Sequence, residues 1–283
     1  MHSDAVPATR SRTQALVTVA NEAQLSTERV RLADGATTTV HVARLPRAIT
    51  RVRVVVLRPP EPLLRWCRRT GCQYALTGGF FSRVTDQPLG QLWSDGVAMV
   101  NAPWGGRFSH RRGAIHIDGD SVSISSLGEM PIDPVGDLLT AGPLLVRDRE
   151  SLITDGYDFE GIPETWRGEL DADWTKVRAQ RSAIAFAGVY LFAVACEGPP
   201  VDWTPKSTEA GLTIAELAGV LVELGVEAAL NLDGGGGTSL VYEQRLVNCP
   251  RAGSVEPDRR HGELIVDGRP LHTAIAFSVS AAS

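Results

Sequence analysis

The sequence predicts an α+β fold: a single strand-rich domain with mixed sheets and a few helices. Three observations carry this. Short alternating or β-branched stretches dominate the first half, two later stretches have helical spacing, and no linker, repeat or low-complexity tract divides the 283 residues. A chain of this length has ample material for one core, so residues 1–283 are taken as one domain.

The strand signals are QALVTV, ERVRLA, TTTVHVARL and RVRVVVL, each bounded by polar residues or glycine. GAIHIDGDSVSISS reads as a hairpin around Asp118-Gly119, and AIAFAGVYLFAVAC as a second apolar pair broken at Gly188. ELIVDGRPLHTAIAFSV repeats the theme around Asp267-Gly268. A first helix is expected over 61–71, with Pro62 in its first turn and Gly71 at its end. The second, over 211–226, is better specified. Thr213 and Glu216 have capping-box spacing, Ile214, Leu217, Leu221 and Leu224 form an apolar stripe, and Gly225 suits the C′ position. This helix leads straight into AALNLD, a buried strand whose end presents Asp233. The acidic, aromatic segment 155–180 lacks periodicity and reads as a long loop of the kind that forms lids or binding segments.

Composition excludes several classes. The formal charge is −5, from 28 basic and 33 acidic residues, and the arginines are dispersed, so a nucleic-acid partner is not expected. No run approaches the ~18–20 apolar residues of a membrane span. The N-terminal stretch lacks the apolar centre of a secretory signal, so a cytoplasmic protein is expected. Cysteines at 67, 72, 196 and 249 form no CxxC pair; free thiols are expected, with a Cys67–Cys72 disulfide as the alternative. The histidines are scattered without HExxH, so neither a catalytic metal nor another cofactor is expected, and an acidic turn holding Ca²⁺ stays open.

The chemistry concentrates in glycine. Residues 230–241, LNLDGGGGTSLV, set Asp233 ahead of four glycines and two hydroxyls. The glycines precede a strand pattern, not a helix, and no GK[ST] follows, which sets aside the dinucleotide fingerprint and the P-loop. LTGGFF (76–81) and TAGPLLV (140–146) also place glycines between apolar runs. Three strand-end turns of bare backbone are expected to converge on one pocket, where their N–H groups suit an anion. The alternative, three separate tight turns, fits TAGP better than DGGGGTS.

These elements, in this order, resemble the phosphodiester glycosidase family, that of the uncovering enzyme and its bacterial relatives. The similarity runs over about residues 70–277. It comprises Thr77-Gly78-Gly79-Phe80-Phe81, Gly90 through Asp95-Gly96, Ala141-Gly142-Pro143-Leu144, and Arg181-Ser182-Ala183-Ile184. It continues through Gly211-Leu212-Thr213 with Glu216-Leu217, Asn231 to Ser239, Val247-Asn248, and Arg269-Pro270 with Ala274-Ile275. Three positions depart from the family pattern: Thr77 replaces an asparagine, Gly237 a serine, and Ala185 a glycine.

The resemblance implies hydrolysis of the anomeric C–O bond of a sugar-1-phosphodiester, giving free sugar and a phosphomonoester; the expected cytoplasmic location suggests small soluble conjugates in a biosynthetic or tailoring pathway. Asp233 is then the carboxylate facing the anomeric carbon, as base or nucleophile, and Arg181 the phosphate clamp. Glu197 is either the second carboxylate or a strand-end acid. Asp95 and Arg269 are weaker candidates, against readings as a turn acid and a surface arginine. Asn231 and Asn248 are candidates for sugar hydroxyls, and Thr238 and Ser239 take over the hydroxyl lost at Gly237. Gly78, Gly79, Gly142, Gly234, Gly235 and Gly236 supply bare backbone, and Phe80 core or pocket wall. Two other readings stand beside this one: a sugar-phosphate binding protein that has lost turnover, suggested by Thr77 and Gly237, and a phosphodiesterase cleaving P–O. The oligomeric state stays open.

Overall fold

The computed structural model describes residues 22–104, 109–154, 160, 175–201, 208–252 and 259–280. The QALVTV stretch and most of segment 155–180 lie outside the described residues. Among the described residues, three larger sheets, a small ribbon and two α-helices organise the fold. The largest sheet has the order β1(Gln24–Arg31)-β2(Thr37–Pro46)-β15(Tyr190–Cys196)-β14(Ser182–Ala187)-β16(Ala228–Asn231)-β12(Leu144–Arg147)-β13(Glu150–Ser151). A second runs β10(Ser121–Ser126)-β9(Gly113–Asp118)-β11(Asp137–Thr140)-β7(Leu92–Ser94)-β8(Val97–Ala98). A third runs β18(Arg245–Leu246)-β17(Leu240–Tyr242)-β4(Tyr74–Thr77)-β19(Pro270–Val279)-β3(Thr50–Pro62), and β5(Phe81–Ser82) and β6(Gln87–Pro88) form a small ribbon.

The strand-rich α+β class is observed, but the named strand pairs are antiparallel rather than mixed; a lone parallel bridge joins Leu89 and Ala102. The reason is visible at the second helix. A helix feeding a strand suggests a parallel crossover, and β15 and β16 do run parallel to each other. However, β14 lies between them and pairs antiparallel with both.

The period of two in each strand sorts the cores. Ala43, Leu45, Ile184, Ala193, Ala195, Leu230 and Leu232 face inward, where they meet Leu76, Ile275 and Phe277 of the third sheet and Ile115 and Leu139 of the second. Alternate residues, Ala183, Ala185, Val194, Cys196 and Ala229, face outward and are covered by α2(Ile214–Glu223). The Thr213 hydroxyl accepts from Glu216 N and the Glu216 carboxylate from Thr213 N, the reciprocal cap expected from the sequence, worth about 1 kcal/mol. Ile214, Leu217 and Leu221 are buried, and Gly225 takes φ 75°. On the outer face of the third sheet lies α1(Leu63–Thr70), burying Leu63, Leu64, Trp66 and Cys67, with Pro62 as its N-cap and Gly71 left-handed after it.

The hairpins at 113–126 and 182–196 form as expected. The third does not. Before Asp267-Gly268, Leu264 makes an isolated bridge to Arg251, and β19 instead pairs with β3 and β4. A long partner strand offers more ladder bonds than a four-residue arm could. All four cysteines are free. Among the described residues no helix is long and apolar enough to cross a membrane.

Candidate functional site

The glycine turns meet, but the N–H groups expected to suit an anion are spent within the chain: those of Gly142, Gly235 and Gly237 donate to Asn231 O, Gln180 O and Gly234 O, and that of Gly234 to Asp233 Oδ1. Past the end of β16 the chain leaves the large sheet: Asp233 N donates to Gly78 O at 3.0 Å, at the end of β4 in the third sheet. The next strand holds the same place, with Gly78 N bonded to Thr273 O at 3.1 Å and Gly79 N to the Thr273 hydroxyl at 3.0 Å. A Cβ at Gly78 would lie 2.4 Å from the Thr273 hydroxyl, and one at Gly79 would lie 2.8 Å from the Thr140 carbonyl. These glycines are therefore required by close backbone approach. The AGP turn is tied in through Asn231, whose Nδ2 donates to Gly142 O at 2.9 Å. Behind it sits Glu160, buried, accepting from Leu144 N at 2.7 Å; a Cβ on Gly142 would meet its carboxylate at 2.5 Å.

Asp233 stands at the centre. Its Oδ1 accepts from Gly234 N at 2.9 Å and its Oδ2 from the Arg269 guanidinium at 2.6 Å, with both side chains mostly buried. The Ser182 hydroxyl donates to the Asp233 carbonyl at 2.5 Å. Burial pushes the Asp233 carboxyl above the ordinary aspartate range, against the opposing pull of Arg269, the Gly234 N–H and the Arg83 charge. The turn is a short 3₁₀ element, Gly235–Gly237, fastened by Gly235 N to Gln180 O at 2.9 Å and Arg269 N to Gly236 O at 3.3 Å. Thr77 is fully buried and its hydroxyl donates to the Gly237 carbonyl. Thr238 and Ser239 are buried as well.

Arg269 thus belongs to the site and is no surface arginine. Its guanidinium also lies over the Phe81 ring, 5.1 Å from the centroid, and Phe81 stacks on His272 at 4.5 Å. Phe80 is core, edge-on to Trp104.

Arg181 does not join Asp233. It neighbours Cys196 across the ladder and so takes the phase of the helix-covered face, where Nε donates to Leu212 O at 3.1 Å and Nη2 to Val177 O at 2.7 Å. Burial lowers its pKa to about 10. This arginine braces the approach to α2, and of the two arginines it is Arg269 that meets Asp233.

Glu197 ends β15 as Asp233 follows β16, two strand spacings away, about 10 Å between backbones. Its carboxylate accepts from Cys249 N at 2.9 and 3.2 Å and meets His41 Nε2 at 3.1 Å. Cys249 O accepts from Gln180 Nε2 at 2.7 Å, and Gln180 O holds Gly235, so Glu197 supports the glycine turn through these links.

Two candidates fall away from the site. Asp95 is the turn acid of the β7–β8 hairpin, with φ 52°, and its N–H donates to Asp137 Oδ1 at 2.7 Å. Asn248 is spent on the backbone: Oδ1 accepts from Leu240 N at 2.9 Å and Nδ2 donates to Thr238 O at 2.8 Å. Asn231 Oδ1, by contrast, is buried with no partner among the described residues. Sequence reasoning missed Ser182, Gln180, Thr273, Glu160 and Arg83. Ser182 and Thr273 stood beside motif residues, and Arg83 directly follows GGFFS, but only contact geometry gives them parts. No cluster of metal-ligating residues occurs among the described residues.

Comparison with known proteins gives the chain its relatives. The chain is 28% identical over 184 residues to the mouse N-acetylglucosamine-1-phosphodiester α-N-acetylglucosaminidase, an alignment covering 64% of this chain and 34% of that protein. The chain therefore matches about a third of that relative's length. In fold it is similar to the catalytic domain of the zebrafish enzyme of the same name, auto-inhibited by its pro-peptide, with TM-score 0.65, 18% identity, and 92% and 83% of the two chains covered. It is also similar to a hypothetical protein from Synechocystis, with TM-score 0.60, 18% identity, and 91% and 62% covered. The phosphodiester glycosidase family model matches residues 70–278, the span that carries all three glycine turns, Asp233 and Arg269. The chain belongs to the phosphodiester glycosidase family.

Proposed function

We propose that the chain hydrolyses the anomeric C–O bond of a small sugar-1-phosphodiester. The observation that carries this is the buried Asp233 carboxylate, 2.6 Å from Arg269, set where three glycine turns bring bare backbone together. Water adds across the bond: its oxygen goes to the anomeric carbon, and the phosphate departs as a monoester. A phosphate ester is a good leaving group, so the site needs charge neutralisation and water or carbon activation more than a strong general acid. Arg269 neutralises the departing phosphate, with Arg83 nearby adding positive potential. Asp233 acts as base toward water or as nucleophile toward the anomeric carbon.

Turnover of a panel of sugar-1-phosphodiesters, UDP-GlcNAc among them, by wild type and Asp233→Asn tests the reading. In ¹⁸O water, label in the sugar is the expected result, and label in the phosphate would assign P–O cleavage instead. A second reading draws on the Asp233–Arg269 contact itself, which closes the carboxylate against its own cation. Binding without turnover of any panel member would put the binding-protein reading first.

A further inference from the structure

Two of the three departures from the family pattern touch each other. The Thr77 hydroxyl donates to the Gly237 carbonyl, so the residue in place of an asparagine holds the residue in place of a serine. Gly237 N is held as well, bonded to Gly234 O at 3.1 Å. Fixed at both ends, this residue cannot retreat. A Cβ built on it would lie 2.5 Å from Asp233 Oδ2 and 2.6 Å from Arg269 Nη2, between the two partners of the ion pair. The backbone does not demand glycine here. Gly235 takes φ 55°, whereas Gly237 lies outside the left-handed region. What the missing side chain provides is space, and the ion pair fills it.

From this we propose that Gly237 turns the site into an anion gate. Without a side chain at 237, Arg269 Nη2 reaches Asp233; a phosphate-ester anion that takes this donor displaces the carboxylate, which is freed as the anion arrives. The inference rests on the reading of Asp233 and Arg269 given above and adds the coupling between them. The anion and the carboxylate compete for one cation, so each weakens the other's hold, and the coupling is reciprocal. The Arg83 charge, which also acts on Asp233, adds positive potential for the incoming anion. A side chain at 237 would crowd the ion pair and weaken the carboxylate's hold on Arg269.

Inorganic phosphate is the probe, titrated calorimetrically into the full chain as wild type, Asp233→Asn, Gly237→Ser and Arg269→Ala, each checked for native thermal unfolding. Asp233→Asn and Gly237→Ser should each bind phosphate about tenfold more tightly than wild type, and Arg269→Ala should lose the binding. Gly237→Ala serves if the serine variant does not fold. An unchanged phosphate affinity in Asp233→Asn or in the folded position-237 variant would overturn the gate, as would wild-type affinity in Arg269→Ala. The titration reads no turnover. A wild type inactive on every sugar phosphodiester would therefore sink the glycosidase reading while leaving these affinities to decide the gate.

Discussion

Arg181 and Arg269 lie on either side of the same glycine turn, and they do opposite things. Arg181 is buried among main-chain carbonyls on the helix-covered face, with Leu212 O and Val177 O as acceptors. Arg269 enters from the neighbouring sheet and meets a carboxylate at the site. In sequence the first looked the better phosphate clamp, because it opens the Arg-Ser-Ala-Ile element of the family pattern and a guanidinium matches phosphate oxygens. In the structure it is Arg269 that meets Asp233, and strand phase is the reason: consecutive residues face opposite sides of a sheet. Ser182 bonds the Asp233 carbonyl; Arg181, one residue earlier, faces away. An arginine's position in a motif says little until its face is known.

The comparison can be broken by substitution. The largest effect is expected at Asp233, which only one of the two arginines meets. Asp233→Asn should lower turnover by roughly 10³-fold while the fold is kept, measured on whichever sugar phosphodiester wild type cleaves best. Arg269→Ala should cost about 10²-fold in kcat/KM, the usual scale for one lost donor to a developing charge. Arg181→Met should do the reverse. It leaves Leu212 O and Val177 O without their buried donor and should lower unfolding free energy by about 3 kcal/mol in urea, with turnover per folded molecule near wild type. Equal activity losses at the two arginines would erase the distinction drawn here.

A pH measurement sharpens the same contrast. The Asp233 carboxyl is raised by burial, so its ionisation above the folded-state value costs stability; stability is fully present below the ordinary aspartate value and is lost as pH rises through the folded value. Asp233→Asn should therefore be more stable than wild type at neutral pH, with the gain vanishing in acid. In wild type the acid limb of kcat/KM should lie above the ordinary aspartate range, since the reaction needs the carboxylate. The smallest effect is expected at Glu197→Gln, which disturbs the His41 contact and the Cys249 brace two links from the turn. Its turnover should fall less than about tenfold.

Much of the local structure was legible. The 214–223 helix, its Thr213–Glu216 cap and the hairpins at Gly119 and Gly188 depend on neighbours in the chain, and periodicity and capping report such neighbours directly. The importance of DGGGG and GGFF was legible too, because consecutive glycines are conformationally expensive wherever they are ordered. Asp95 takes its alternative reading as a turn acid and Asn248 braces the backbone; sequence could not choose, because such residues carry the same letters as ligand-binding ones.

What the sequence determined by itself was the inventory: strands, two helices, glycine turns and an aspartate at a strand end. Tertiary structure decided the partners. Whether Arg181 or Arg269 meets Asp233, which groups the Glu197 carboxylate holds, and what a side chain at position 237 would meet all depend on contacts between residues distant in sequence, across sheets that only folding brings together. A sheet's phase and the space between two sheets are properties of the assembled layers, and no window of the chain contains them.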